Sequence, residues 1–453
     1  MEQSPHLERT LGPVMLWALG VGYVISGMYF GWNLGLPLGG PYGMLLATVL
    51  VTVMYVTFVL SYAELSCALP KAGGAFVYGT RALGPGGGFL AGLAQWVEFV
   101  FAPPASAAAI GAYFNIYFPN ASPTVIAMIA YLLFTGLNIW GVRHSAIFEL
   151  VITILAVLEL LLFAGVAGPS FTWAAFSRNP LPHGWMGAFA ALPYAIWFYL
   201  AIEGVANVAE ETRDPQRDLA RGFGTAMATL VVLAVLVFFA AVGVGGWEAI
   251  VFKAGTTETS DSPLPLALGQ IVGKSHLLYH LLVGIGLCGL LASFHGIILC
   301  AGRATFEFGR VGYAPAFLGR VLPRNRTPAA ALLFNMGVGM LALLTGKTDQ
   351  IITLSVFGAL TLYAISMLSL FVLREREPSL RRPFRAPGYP FTPAVALGLA
   401  LLCLASMAYY NASVGLIYLG LLGAGYAWFF VIPKSTREGF AGRGNPELSA
   451  ERS

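Results

Sequence analysis

Charge is scarce in this chain of 453 residues: 10% are Asp, Glu, Lys or Arg, against about 25% in soluble domains. With 57% hydrophobic residues and a mean hydropathy of +0.75, the deficit excludes an ordinary water-soluble globular protein. Cysteine is scarce too. Cys67, Cys288, Cys300 and Cys403 all fall in apolar stretches, with no pair at a metal-ligand or redox spacing, and read as small packing residues. Of the six histidines, only His295 lies well inside an apolar run. No catalytic triad, phosphate-binding loop or metal-ligand cluster is present, so no cofactor and no metal are expected. A membrane enzyme would need paired His/Asp motifs or a nucleophile constellation. A sensor would usually carry an output domain, and the short tails are expected to hold none.

What is abundant is apolar sequence in runs of about 20 residues, the length that crosses a bilayer. Twelve such runs are read, roughly at 13–36, 41–69, 88–117, 122–139, 145–168, 186–209, 222–246, 277–304, 329–346, 349–373, 391–411 and 413–433. The expected fold is therefore all-α and integral to the membrane, with twelve transmembrane helices and the lipid bilayer as solvent. The polar arm at 1–12 has no signal-peptide pattern, and the first run is expected to remain as a helix. Placing the N-terminus in the cytoplasm puts all but four of the 25 Lys and Arg residues on that side; the exceptions are Arg178, Lys253, Lys274 and Lys347. That skew follows the positive-inside rule and expects both termini in the cytoplasm. The net charge of +4 is then a product of topology and gives no reason to expect a nucleic-acid partner.

One residue stands against the apolar background. Glu203 lies near the middle of the sixth run, where a carboxylate costs about 2.5–3.5 kcal/mol and reads as functional. Gly204 follows it and weakens the helix there. The first run, Gly20-Val-Gly-Tyr-Val-Ile-Ser-Gly-Met-Tyr-Phe-Gly31, holds four glycines and a serine in twelve residues. Small residues let helices pack closely. They also let a helix unwind, freeing N–H and C=O groups for a ligand. The two weak points are five spans apart, and paired interruptions in corresponding halves point to a transporter site. Because five is odd, two such halves have opposite orientations.

Several loop segments read together with these breaks: Pro70-Lys-Ala-Gly-Gly-Ala-Phe-Val-Tyr78, Glu210-Glu-Thr-Arg-Asp-Pro-Gln-Arg217, Gly309-Arg-Val-Gly-Tyr-Ala-Pro315, Arg326-Thr-Pro328 and Arg381-Arg-Pro-Phe-Arg-Ala-Pro-Gly-Tyr-Pro390. On these the chain resembles the amino acid–polyamine–organocation transporter superfamily over about residues 10–430. Within that superfamily it looks like the ethanolamine permeases, on Gly22-Tyr-Val-Ile-Ser-Gly-Met-Tyr-Phe-Gly-Trp-Asn33, Glu98-Phe-Val-Phe-Ala-Pro-Pro104 and Ala201-Ile-Glu-Gly-Val-Ala-Asn-Val-Ala-Glu-Glu211. The resemblance implies a five-plus-five inverted repeat and alternating access around a central site. The expected division is an arm at 1–12, repeats at 13–168 and 169–373, two further helices at 374–433 and a cytoplasmic tail at 434–453. The implied function is import of ethanolamine across the inner membrane, coupled to a proton or sodium ion. The alternative is a permease for amino acids, polyamines or other amines. Oligomeric state is not specified by these residues.

The resemblance also implies site residues. Relatives that carry amino acids hold the substrate carboxylate with backbone N–H groups of the first break, here Ile25, Ser26, Gly27 and Met28. Ethanolamine offers a hydroxyl instead, held by neutral hydrogen bonds about half as strong as charge-assisted ones. Its ammonium needs an acid, and Glu203 and Glu98 are the candidates. Glu203 is expected where the C-terminal end of a half-helix adds carbonyl charge. Glu98 is expected to face the cavity, with Pro103 and Pro104 kinking its helix; the other reading is a buried neutral acid. Two carboxyls at one site repel, which suits a coupling proton. Tyr29, Phe30, Trp197 and Tyr199 are candidates for cation–π cover, or else pack or face lipid. Ser293 and His295 map to a stretch that lines the cavity in relatives. His295 either titrates there or is bonded to a neighbouring helix. Some relatives carry a lysine in the fifth span; Ala156 stands at its position, and Glu159 is the candidate proton or sodium site in its place. Glu149 lies in the same span. Glu64 is expected to cap a helix or pair with a loop base.

Overall fold

The computed structural model describes residues 9–437 apart from 72, 142–144, 254, 324 and 326. Arg143, Arg324, Arg326, Arg443 and Arg452, counted above, and most of both terminal arms lie outside the described residues. In lipid every backbone N–H and C=O must find its partner within the protein, so the apolar runs become helices. In chain order these are α1 (Pro13–Val24), α2 (Ser26–Tyr29), α3 (Leu36–Ala68), α4 (Ala75–Tyr117), α5 (Pro123–Trp140), α6 (Ser145–Ala167), α7 (Trp173–Phe176), α8 (Gly187–Ala190) and α9 (Leu192–Ile196). They continue with α10 (Pro215–Val242), α11 (Glu248–Val251), α12 (Pro263–Ile271), α13 (Leu277–Arg310), α14 (Ala329–Leu343), α15 (Thr348–Arg376), α16 (Phe391–Tyr410) and α17 (Ala412–Val431). Proline sits in the first turn of α1, α3, α5, α10 and α12, where its missing N–H costs no bond.

Among the described residues, nine helices are long and apolar enough to cross a membrane. The three expected spans that fall short are the first, sixth and ninth. The ninth, α14, is simply brief at 15 residues. The first and sixth are interrupted. The chain turns at Ile25 between α1 and α2, then opens fully at Phe30 (φ −160°, ψ 174°) and Gly31 (φ 90°) before the 3-10 turn Trp32–Gly35. In the sixth, α9 ends at Ile196, the backbone turns through 197–201, and a 3-10 helix runs Ile202–Glu211.

One expectation about a local break needs correction. The sixth break is not at Glu203-Gly204 but just before it, where Ala201 takes a left-handed conformation (φ 77°). At Pro103-Pro104 of α4, where a kink is expected, the dihedrals stay helical; they depart at Gly84 (φ 81°), ahead of Pro85. The two prolines instead withhold N–H groups from the carbonyls four residues earlier, those of Phe99 and Val100.

Apolar side chains such as Leu132, Leu133, Leu158, Leu236, Leu416 and Phe430 face outward. Acids are inside: Glu64, Glu98, Glu149, Glu159 and Glu203 are all buried. Glu64 is paired with the loop bases. Arg374 forks onto both its oxygens at 2.7 Å, Arg382 approaches at 3.3 Å, and the Ala386 N–H donates at 2.7 Å. This ties the end of α3 to α15 and to the loop after it. The expected pairing of Glu64 with a base is present.

Candidate functional site

The two interruptions meet. A methyl on Gly27 would overlap the Trp197 carbonyl, and one on Gly31 would overlap the Trp197 indole. Only glycine admits this approach, and Gly31 also needs its positive φ. Phe30 packs edge-on against Trp197 at 5.5 Å. The Trp197 indole N–H is buried with no partner among the described residues. Ser293, on α13, donates to the Tyr23 carbonyl at 2.8 Å, and its hydroxyl lies 2.9 Å from Ser26 Oγ, which places it at the first break. Of the four expected N–H donors, two are used within the chain: Ile25 donates to Val21 O (2.8 Å) and Met28 to Ile25 O (3.0 Å).

Just beyond the sixth break lies the acid pair. The Glu203 carboxyl is alongside that of Glu98, which also lies by the Ala201 amide. Glu203 Oε2 accepts from the Tyr363 hydroxyl at 2.9 Å, and Tyr363 in turn lies 3.1 Å from the Tyr55 hydroxyl. Glu203 Oε1 and both Glu98 oxygens lack a hydrogen-bond partner among the described residues. Both side chains are shut off from solvent, at 2% and 0% exposure. Glu203 is in the first turn of the Ile202–Glu211 helix, not at the C-terminal end of a half-helix as expected. Its nearest dipole is thus the N-terminal one, which favours the carboxylate itself. Around the pair stand aromatic rings: Tyr55 is 5.2 Å from Tyr199 and 5.4 Å from Tyr363. Tyr199 is anchored to Thr52 Oγ1 at 2.7 Å.

Three candidates lie elsewhere. Tyr29 donates to Glu159 Oε2 at 2.7 Å, and with Tyr113 they line a recess of about 200 Å³ under α12. His295 is turned to α5, with Nδ1 3.0 Å from Asn138 Nδ2. It is the histidine bonded to a neighbouring helix, apart from Ser293, because residues two apart on a helix point to nearly opposite sides. Tyr55 and Tyr363 were not found from sequence: a tyrosine in an apolar run carries no mark of its partner. A second recess, about 280 Å³, opens on the arginine-rich side and is lined by Gln95, Asn207 and Glu307.

A helical bundle with two interrupted helices meeting beside buried acids defines a multi-pass membrane transporter. The chain belongs to the amino acid permease family, whose sequence pattern matches residues 11–438. It is 32% identical to an uncharacterized transporter of Rhizobium meliloti, over 90% of this chain and 88% of that protein. It is 27% identical to a branched-chain amino acid permease of Bacillus subtilis, covering 88% and 87%. A serine/threonine exchanger of the same bacterium is 26% identical, covering 92% and 95%. The protein is a transporter and not an enzyme.

Proposed function

We propose that this transporter imports a small cationic amino alcohol, ethanolamine, by alternating access. In this reading it sits in the inner membrane with its N-terminus and arginine-rich side in the cytoplasm, and a proton or sodium ion drives it. The observation that carries the reading is the acid pair: Glu203 Oε1 and both Glu98 oxygens have no hydrogen-bond partner among the described residues in a buried site. No lysine or arginine occurs in 13–35 or 187–211, the two interrupted spans, to receive a substrate carboxylate. An ammonium satisfies the acids by charge-assisted bonds. Tyr55, Tyr199, Tyr363 and Trp197 offer ring faces to it. The hydroxyl end is read toward Ser26, Gly27 and Ser293.

Uptake of labelled ethanolamine into proteoliposomes, under imposed proton and sodium gradients, tests this. Wild type is expected to accumulate label, and Glu203→Gln to weaken apparent affinity by about 100-fold, as loss of one partner of a buried charge pair does. Normal transport by the variant overturns the assignment of Glu203. The relatives named for branched-chain amino acids and serine/threonine favour a second reading, a neutral amino acid held at the first break. Competition decides between them: uptake inhibited by alanine or leucine and not by ethanolamine selects the second.

A further inference from the structure

Of the buried glutamates in the described helices, Glu64 is held by arginines, Glu159 by Tyr29, and Glu98 and Glu203 form the proposed site. Glu149, on α6, is left. It is 2% exposed, and its Oε1 has no hydrogen-bond partner among the described residues. That oxygen is set against the bare Cα of Gly22 in α1: a methyl on Gly22 would overlap it and reach within 2.9 Å of Thr153 Oγ1. From the third side comes Gly296 of α13, whose Cβ would stand 3.9 Å away. Thr153 is already engaged, donating to the Ala18 carbonyl at 3.2 Å.

The surroundings define what this notch takes. Among the described residues of α1, α10 and α13, no Lys or Arg forms an ion pair with the Glu149 carboxyl. The titratable group facing it is the Tyr23 phenol of α1, and His295 of α13 is turned away to Asn138. A hard metal ion needs several oxygen ligands, and the notch offers one carboxyl and one occupied hydroxyl. A carboxylate left unpaired here is costly, whereas a proton neutralises it and needs no further ligand. We propose that Glu149 is a proton-binding site, and that its proton seats the last turn of α1 against α6 and α13.

Tyr23 links this notch to the breaks. It follows Gly22, and its carbonyl accepts from Ser293. Its ring is wedged between Gly296, whose Cβ would stand 2.6 Å from it, and Gly204, at 3.1 Å, beside Glu203. A charge on Glu149 draws water into the notch or unseats α1, and Tyr23 passes either change to both interrupted helices. The coupling ion of the transport reading, on which only this last step rests, is then a proton.

Infrared difference spectroscopy of the detergent-solubilised protein across a pH titration tests the site without any substrate. Wild type is expected to show a protonated-carboxyl band that Glu149→Gln loses. In proteoliposomes the same variant is expected to keep ethanolamine counterflow near the wild-type rate while losing accumulation driven by a proton gradient. A band unchanged by the substitution, or full proton-driven accumulation by the variant, overturns the proposal. Should the glutamine variant not fold, Glu149→Asp decides: its band must shift in frequency and titration, and an unaltered band overturns the site. If ethanolamine proves not to be carried, the infrared result still stands on its own.

Discussion

The Glu203 carboxyl accepts from one phenol. Tyr363 donates to Oε2 at 2.9 Å, and Tyr55 stands behind it at 3.1 Å. In Tyr363→Phe the carboxyl loses its donor and the Tyr55 hydroxyl loses a neighbour, leaving buried polar groups unsatisfied at about 1–3 kcal/mol. The freed carboxyl rotates away from its productive position, so apparent affinity for ethanolamine is expected to fall by about tenfold. Competition of labelled uptake by unlabelled substrate measures this, and unchanged affinity refutes the positioning role. At this scale the sequence is half legible. Glu98 and Glu203 announce themselves because charge inside an apolar run must be explained. Tyr363 does not, because its neighbours in α15 are as apolar as lipid-facing ones. His295 stays open between two readings in the sequence for a finer reason: Ser293 and His295 are two residues apart, and the side of the helix that each faces is set by α13's rotation, which composition does not encode.

Elements approach one another where side chains are absent. α15 crosses α4 backbone to backbone at Gly358, where a Cβ would fall 2.5 Å from Ala94 O and 2.7 Å from Glu98 N. The Ser355 hydroxyl, one turn earlier, donates to Glu98 O at 2.8 Å. The crossing therefore fixes where Glu98 stands. Gly358→Ala must push the helices apart, costing about 1–3 kcal/mol, and should lower both the melting temperature in detergent and substrate affinity. Gly398 in α16 has nothing within 4 Å of its would-be Cβ. Gly398→Ala should stabilise slightly, by about 0.5–1 kcal/mol, through helix propensity alone. Equal effects of the two substitutions would refute the crossing as a determinant. Such contrasts are invisible in sequence, where both are glycines in apolar runs. The sixth break makes the same point. Gly204 looks like the weak link, yet its missing side chain makes room for Tyr23, while Ala201 bears the left-handed turn. Glycine marked that something unusual happens there, and its neighbours decided what.

Over the whole molecule, the acid pair is closed toward both surfaces. On the arginine-rich side, residues 10 and 11 bond to Glu211 O, Arg213 N–H returns to Leu11 O, and Arg303 pairs with Glu211 at 2.8 Å. On the opposite side the loop before α12 is pinned twice: Asn33 Nδ2 donates to Ser260 O at 2.8 Å, and Thr348 donates to Asp261 Oδ2 at 3.1 Å. This loop lies outside the membrane helices, and burial raises the Asp261 carboxyl to about 6, opposed by the Thr348 bond and Lys253 and reinforced by Asp349. A carboxyl whose folded value lies above its unfolded one favours the docked form when protonated. Docking is thus strongest below the ordinary value near 3.8 and weakens as pH rises through about 6. Hydrogen exchange over 255–271, corrected for the intrinsic effect of pH, should show protection falling between pH 5 and 7, a window set by that raised value. Asp261→Asn keeps an acceptor for Thr348 but carries no charge, so its protection should stay high and flat, exceeding wild type at neutral pH. If wild-type protection is flat or rises across this window, protonation of Asp261 does not favour docking and the proposed pH dependence of the outer closure is refuted.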